Sequence, residues 1–340
     1  MDTLYADSVE RLFSQISTPA SIRAIESGQS TDAMWKEIEQ SGFLDALLPE
    51  SLEGAGLNLA QVFPMFLSAG RYAVPVPFAQ TMLARAWLVA AGVAPPKGPI
   101  SIAGLGIRAD KGTVDADALP FGRVSAWVLA DMDGDIALLP TAEASSVLSG
   151  GPGGLSASLQ WNTRPGAGIA IAASKSARVG LDQLAAVSYA ALIAGAAERV
   201  LAMTLDYANQ RKQFGKPIGK FQAIQNQISV MAERTWASRM AAELACQSAD
   251  WSPRFLMAAL GKARCSEAAG LIADMAHAVH GAVGVTDEYD LHLYTRRLRE
   301  WRLCAGAESY WASRIGAQLL SQPETTALAF ICEELSAQAA

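Results

Sequence analysis

From residue 181 to about residue 320 the chain is rich in alanine and apolar residues, and the helical pattern is interrupted in only a few places. Breaks fall near residues 215–219, 251–253 and 280–284, where Gly or Pro punctuates the pattern. Segments this long, separated by short breaks, predict four long helices in an antiparallel bundle. Alanine at helix contacts lets the backbones approach closely. Phe221, Ile224, Ile228, Met231 and Thr235 recur at three- and four-residue steps, which predicts one apolar face on the second of these helices.

The rest of the chain changes texture twice. Residues 1–94 read as a helical domain: Val9, Leu12, Phe13 and Ile16 share a face, and so do Trp35 and Ile38. Thr31 is placed to cap a helix beginning at Asp32. Between residues 95 and 175 short apolar runs alternate with Gly, Asp and Pro, the pattern of a small antiparallel β domain, with Asp133-Gly134 as a hairpin turn. Residues 176–340 form the C-terminal bundle. The expected order is therefore helical, β, helical.

Composition excludes several function classes. A chain of 340 residues with 51% hydrophobic and 18% charged residues buries substantial cores and is not disordered. Its net charge of −6 argues against a nucleic-acid partner, which would call for a basic surface. No apolar run reaches 18–20 residues without polar breaks, so no membrane-spanning helix is expected. The acidic start, MDTLYADSVERLF, has no apolar h-region and predicts no signal peptide. Cys246, Cys265, Cys304 and Cys332 show no C-x-x-C spacing, which fits reduced core thiols in a cytoplasmic protein. His280 and His292 have no partner at helical metal-ligand spacing, so packed or hydrogen-bonded histidines are expected rather than a metal site.

The sharpest local signal is RKQFG at residues 211–215, followed by KPIGKFQAIQ. Gly215 and Pro217 set a turn between two helices, and Arg211 and Gln213 sit at that corner, where a guanidinium fork can engage a diphosphate. A plain surface loop is the bland alternative. The R-x-x-F-G run with its K-x-x-x-F-Q-x-x-Q helix resembles the signature of the acyl-CoA dehydrogenase flavoproteins. HGAVGVTDEYDLHLYTRR at residues 280–297 resembles a second signature of that family, and PESLEGAGL at residues 49–57 a weaker third.

The resemblance implies the acyl-CoA dehydrogenase fold, FAD as cofactor, an acyl-CoA thioester as substrate and an electron-transfer flavoprotein as electron acceptor. It also implies a carboxylate that removes the α-proton while the flavin takes a hydride. At the two positions where the family carries that base, this chain reads Ala305 and Ala185. Glu308 lies one helical turn beyond Ala305 and is the remaining candidate base, against its reading as a Glu paired with Arg302 or Arg314. The family's loop for the flavin ring is missing between residues 95 and 111, and its Gly-Gly pair is Gly281-Ala282. Arg211, Gln213, Phe214, Gln222 and Gly281 remain, positions that in the family reach a neighbour's FAD across a subunit interface. That selection implies the smaller subunit of an α2β2 enzyme, completing an FAD site with a related dehydrogenase subunit. A self-sufficient homo-oligomer using Glu308 and a flavin-free scaffold are the alternatives. Tyr289, Asp290, Arg296 and Arg297 are expected to form an ion network at the end of the bundle, or Arg297 to reach the cofactor phosphates.

Overall fold

The computed structural model describes residues 2–110, 112–132, 134–149, 151, 153–162, 169–171, 179–322 and 324–336. The N-terminal third is helical, as its sequence pattern predicts: α1 (Asp2–Ile16), α2 (Pro19–Glu26), α3 (Asp32–Gln40), α4 (Leu59–Arg71) and α5 (Phe78–Ala90). Local chemistry sets the starts. Thr18 accepts from the Ser21 amide at 3.2 Å with Pro19 as the first helical residue, and Asn58 and Gln61 form a reciprocal capping box on α4. Thr31 does stand at the N-cap of α3, but its side chain makes no capping bond. Its backbone is in the helical region there, and capping requires the extended conformation.

The middle segment holds β1 (Ile100–Ala103), β2 (Ile107–Asp110), β3 (Thr113–Leu119), β4 (Trp127–Met132), β5 (Asp135–Pro140), β6 (Ser145–Leu148), β7 (Ala157–Asn162) and β8 (Ile169–Ile171). They form two four-stranded sheets, ordered β1-β4-β5-β8 and β2-β3-β7-β6. Their shared core includes Val114, Val128, Leu139, Leu159 and Trp161. Every pairing is antiparallel except β1 with β4, which is parallel. Strand alternation carries no information on direction, so this departure was invisible to the pattern. Met132 faces Asp135 across β4 and β5, around the expected turn; Asp133 itself lies outside the described residues.

The C-terminal part is built on α6 (Leu181–Gln210), α7 (Gln222–Ala245) and α8 (Phe255–His280). Where a single fourth helix was expected there are two, α9 (Leu291–Leu303) and α10 (Glu308–Leu320), and α11 (Ala327–Ser336) follows. The break carries two left-handed residues, Ala305 (φ 54°) and Gly306 (φ 86°), which no continuous helix can accommodate. Between α6 and α7 the strands β9 (Lys212–Gln213) and β10 (Lys216–Pro217) make a small hairpin.

α6 is the spine of the molecule. One core runs from Val9 and Phe13 in α1, through α4 and α5, to Ala185–Ala197 of α6 and Leu298 and Trp301 of α9. α4 crosses α6 at a pair of glycines. A Cβ on Gly195 would stand 1.9 Å from the Leu67 carbonyl oxygen, and one on Gly70 would stand 2.2 Å from that of Leu192. α6 and the segment Phe255–Val285 are, contrary to the sequence expectation, long and apolar enough to cross a membrane. The apolar window of α6 is 89% buried here, and its role in this fold is that of a core helix.

Candidate functional site

Two families of site residues lie at opposite ends of α6. At its N-terminal end, Ala185 and Ala305 line one small cavity of about 40 Å³ together with Tyr189. The two positions read from the sequence as vacant base positions thus converge in space, although 120 residues of chain separate them. Tyr189 is fully buried, takes a 2.6 Å hydrogen bond from Gln80 Nε2, and has its phenol held well above the usual range by burial. Ala305 also lines a second cavity of about 760 Å³ between α9 and the β domain. Leu105, Phe121, Leu155, Trp301 and Leu303 give it apolar walls, and Glu26, Arg296 and Arg297 close one end. The volume falls within the range of cofactor and substrate sites.

Glu308 lines neither cavity. It begins α10 and forms a two-point ion pair with Arg302, Arg302 Nε donating at 3.1 Å. The hydrogen bond from Arg302 holds its carboxyl below the usual range, the wrong direction for a general base. Arg314, the other partner considered, pairs with Asp182. Two carboxylates beside Ala305 do line these cavities: Glu300 lines the large one and accepts from Ser156 Oγ at 2.5 Å, and Asp117, paired with Arg108, lines both. Sequence reasoning passed over Glu300 because its only signal is position: it lies on α9 one turn before the break, and its partner is in the β domain.

The break itself is heavily tied. Lys262, on α8, is fully buried, and its Nζ donates to Ser266 Oγ (2.6 Å) and to the carbonyls of Arg302 (3.0 Å) and Gly306 (2.8 Å). Burial draws its ammonium down to about 8. Trp311 Nε1 donates to the Ala305 carbonyl at 2.8 Å.

At the C-terminal end of α6 the picture reverses. Arg211 is the exposed C-cap of the helix, Gln213 and Phe214 project from the hairpin, and Gln222 opens α7. Phe214 is 91% exposed and adopts a left-handed φ of 51°. Gly281 ends α8 at φ 64°, with open space where a Cβ would point. The last turns of α6 and α8 are joined by Tyr207, which stacks on His280 at 4.5 Å and donates to the His280 carbonyl at 3.3 Å. All five residues carried over from the family signatures therefore gather at one end of the bundle. At 1.5 Å per residue, Arg211 lies about 39 Å along α6 from Ala185.

The ion network expected at Tyr289–Arg297 exists, but its acids come largely from α2's side of the molecule. Glu26, 7% exposed, accepts from Arg296 at 2.6 Å and from Arg297 at 2.7 Å, and Arg23 reaches Asp290 at 2.7 Å. This pairing ties α9 to the N-terminal helices. His280 donates through Nδ1–H to the Ala276 carbonyl (2.8 Å) and, with burial lowering its basicity, is a packed histidine; no cluster fit for a metal occurs among the described residues. Cys246 and Cys265 are buried thiols as expected, whereas Cys332 is exposed on α11.

Residues 180–320 match the family model for the acyl-CoA dehydrogenase C-terminal domain. The acyl-CoA dehydrogenase IpdE2 of Mycobacterium tuberculosis is 30% identical over 86% of this chain and 88% of its own length. The chain belongs to the acyl-CoA dehydrogenase family. Among solved structures, the ChsE4-ChsE5 complex from Mycobacterium tuberculosis contains a chain that superposes with a TM-score of 0.81 at 21% identity, covering 96% of this chain and 98% of that one. The Tcur3481-Tcur3483 steroid acyl-CoA dehydrogenase superposes with a TM-score of 0.82 at 22% identity, over 95% and 99% of the two chains. At those identities the likeness establishes the fold: an N-terminal helical part, a small β part and a C-terminal bundle.

FAD is the cofactor of this family. The residues present fit it in two separate halves. Arg211, Gln213 and the open backbone at Gly281 offer donors suited to a diphosphate, on a surface facing away from the molecule. The large cavity offers volume for a ring system.

Proposed function

We infer that this acyl-CoA dehydrogenase family member is the supporting subunit of a heteromeric enzyme, completing with its bundle end an FAD site whose catalytic base belongs to a related partner subunit. The observation that carries the reading is the convergence of Ala185 and Ala305 on one small cavity: both places for a base meet there, and both are methyl groups. FAD, when bound, supplies hydride acceptance for α,β-desaturation of an acyl-CoA thioester. Arg211 and Gln213 would hold its diphosphate, Gly281 would let it approach the backbone, and Phe214 and Gln222 would cover its adenosine end; an electron-transfer flavoprotein would serve as the electron acceptor. The ChsE4-ChsE5 complex and the Tcur3481-Tcur3483 pair, each named with two components, support a two-subunit assembly, and the latter's description as a steroid enzyme supports a bulky acyl group such as a steroid side-chain CoA thioester.

The self-sufficient alternative needs a carboxylate at the cavity. With Glu308 held by Arg302, that part falls to Glu300, which lines the large cavity, or to Asp117, which lines both cavities and is paired with Arg108. The discriminating experiment is flavin quantification on the chain purified alone and after co-expression with related dehydrogenase subunits. A colourless chain that acquires about one FAD per two chains on assembly fits the proposal, because each site draws on two subunits. One FAD per chain, in the chain alone, refutes it.

A further inference from the structure

Lys262 is a buried cation with no carboxylate hydrogen-bonded to it among the described residues, and the proposed chemistry has no use for it. Lys262 is fully enclosed and all three N–H bonds of its ammonium are taken, by Ser266 Oγ and by the Arg302 and Gly306 carbonyls. One of those carbonyls is in the last turn of α9 and the other within the α9–α10 break. Between them lies Ala305, in a left-handed conformation unfavourable for any residue with a Cβ, and its methyl group lines both the 40 Å³ and the 760 Å³ cavities. A conformation of that kind persists only where the surroundings over-determine it. Here the surroundings are Lys262 from α8, Trp311 from α10, and the Arg302–Glu308 pair that spans the break.

We propose that Lys262 is the positioning residue of this site: its ammonium staples the turn between α9 and α10 so that residue 305 stays as the wall between the two cavities. The count of donors makes the staple dependent on protonation. An ammonium has three charge-assisted N–H bonds and a neutral amine has two uncharged ones, so loss of the proton weakens the hold on the Arg302 and Gly306 carbonyls. The groups facing Lys262 leave it as the titrating partner near neutrality. Cys265, on its own helix, is pushed up to about 12 by burial, and Cys304, in the turn, is pushed up further by the same cause. Glu308 on α10 is held ionised by Arg302 of α9, whose guanidinium stays charged. Burial has brought Lys262 itself down to about 8. The turn is held below that pH and relaxes above it.

This inference concerns the wall of the proposed site and does not depend on which subunit supplies the base, so its failure would leave the flavin stoichiometry test untouched. The measurement is hydrogen–deuterium exchange of the peptide covering residues 302–308 in the full chain, corrected for intrinsic pH dependence, between pH 6.5 and 9.5. Wild type should lose protection in this peptide about tenfold across pH 8, the equivalent of one hydrogen bond, with α8 and α6 unchanged. Lys262→Met, similar in length and uncharged, should exchange fast at every pH with no step. A turn equally protected throughout in the wild type, or a loss in Lys262→Met spread evenly over α6 and α8, overturns the proposal. Should Lys262→Met not fold, Ser266→Ala serves: with one acceptor fewer for the ammonium, the step must move to lower pH, and an unmoved step is equally fatal.

Discussion

At its N-terminal end α6 packs Ala185 and Tyr189 against Ala305 in a nearly closed space, whereas at its C-terminal end it releases Arg211, Gln213 and Phe214 into solvent. The same helix therefore serves a small walled cavity in the interior and an open cationic corner. On the proposed reading, an interior with methyl groups at residues 185 and 305 is of use as architecture. On the same reading, an exposed corner that presents a guanidinium, an amide and an aromatic ring is of use to something outside the chain. The contrast separates what the fold requires from what an assembly requires.

The contrast can be broken first at the architectural end. Gly195→Ala puts a methyl group into the Leu67 carbonyl, where backbone rather than a flexible side chain stands in the way. Overpacking of this kind should cost on the order of 3 kcal/mol or more, read as a drop in the midpoint of chemical unfolding. A drop below about 1 kcal/mol would show that α4 and α6 can slide apart. At the open corner the effect should move from folding to assembly. Arg211→Ala should weaken FAD retention in the assembled enzyme by about 1.5–3 kcal/mol, roughly 10- to 150-fold, with thermal stability of the isolated chain little altered. Equal flavin content after dialysis of mutant and wild-type complexes would remove Arg211 from the site.

Smaller effects sharpen the boundary. Glu308 has its pKa depressed by Arg302, so its stabilising contribution is present above the ordinary carboxylate pKa and is lost as pH falls through the folded-state value. Because both partners are partly exposed, Glu308→Gln should cost no more than about 1 kcal/mol, should flatten the acid limb of the stability profile, and should leave turnover of the assembled enzyme within a few-fold. A loss of about 100-fold in turnover with full flavin occupancy would return the base to this chain. Phe214→Ala comes last. The isolated chain should change by less than about 0.5 kcal/mol, as befits an exposed side chain, while flavin content of the complex falls. A destabilised isolated chain would mean that Phe214 folds back onto its own bundle.

Much of this was legible in the sequence where the signal is local. Alanine-rich helical runs, the Gly215 and Pro217 corner, and the two motif segments located the bundle and its open end without coordinates. What was not legible depends on contacts between distant parts of the chain. The break at Cys304–Ala307 contains no proline and only one glycine, and it is enforced by Lys262 and Trp311 from other helices. The pairing of Glu308 with Arg302 was among the sequence expectations, but the turn that brings them together across six positions was not. Glu26, which receives both Arg296 and Arg297, lies some 270 residues upstream of them. The parallel pairing of β1 with β4 leaves no trace in the alternation of either strand.

The crossing of α4 and α6 at Gly70 and Gly195 sets a limit on how a protein of this kind can be taken apart. Each helix leaves a notch that only the other's backbone fills, and the surrounding core passes through the crossing without a seam. Residues 1–94 are therefore less a module placed on the bundle than a missing layer of it. An excised bundle would present α6 with an apolar flank stripped bare along much of its length. Recombining the N-terminal part of one family member with the bundle of another should succeed only where this notch is matched, which makes two glycines the unit of exchange rather than any boundary drawn through a loop.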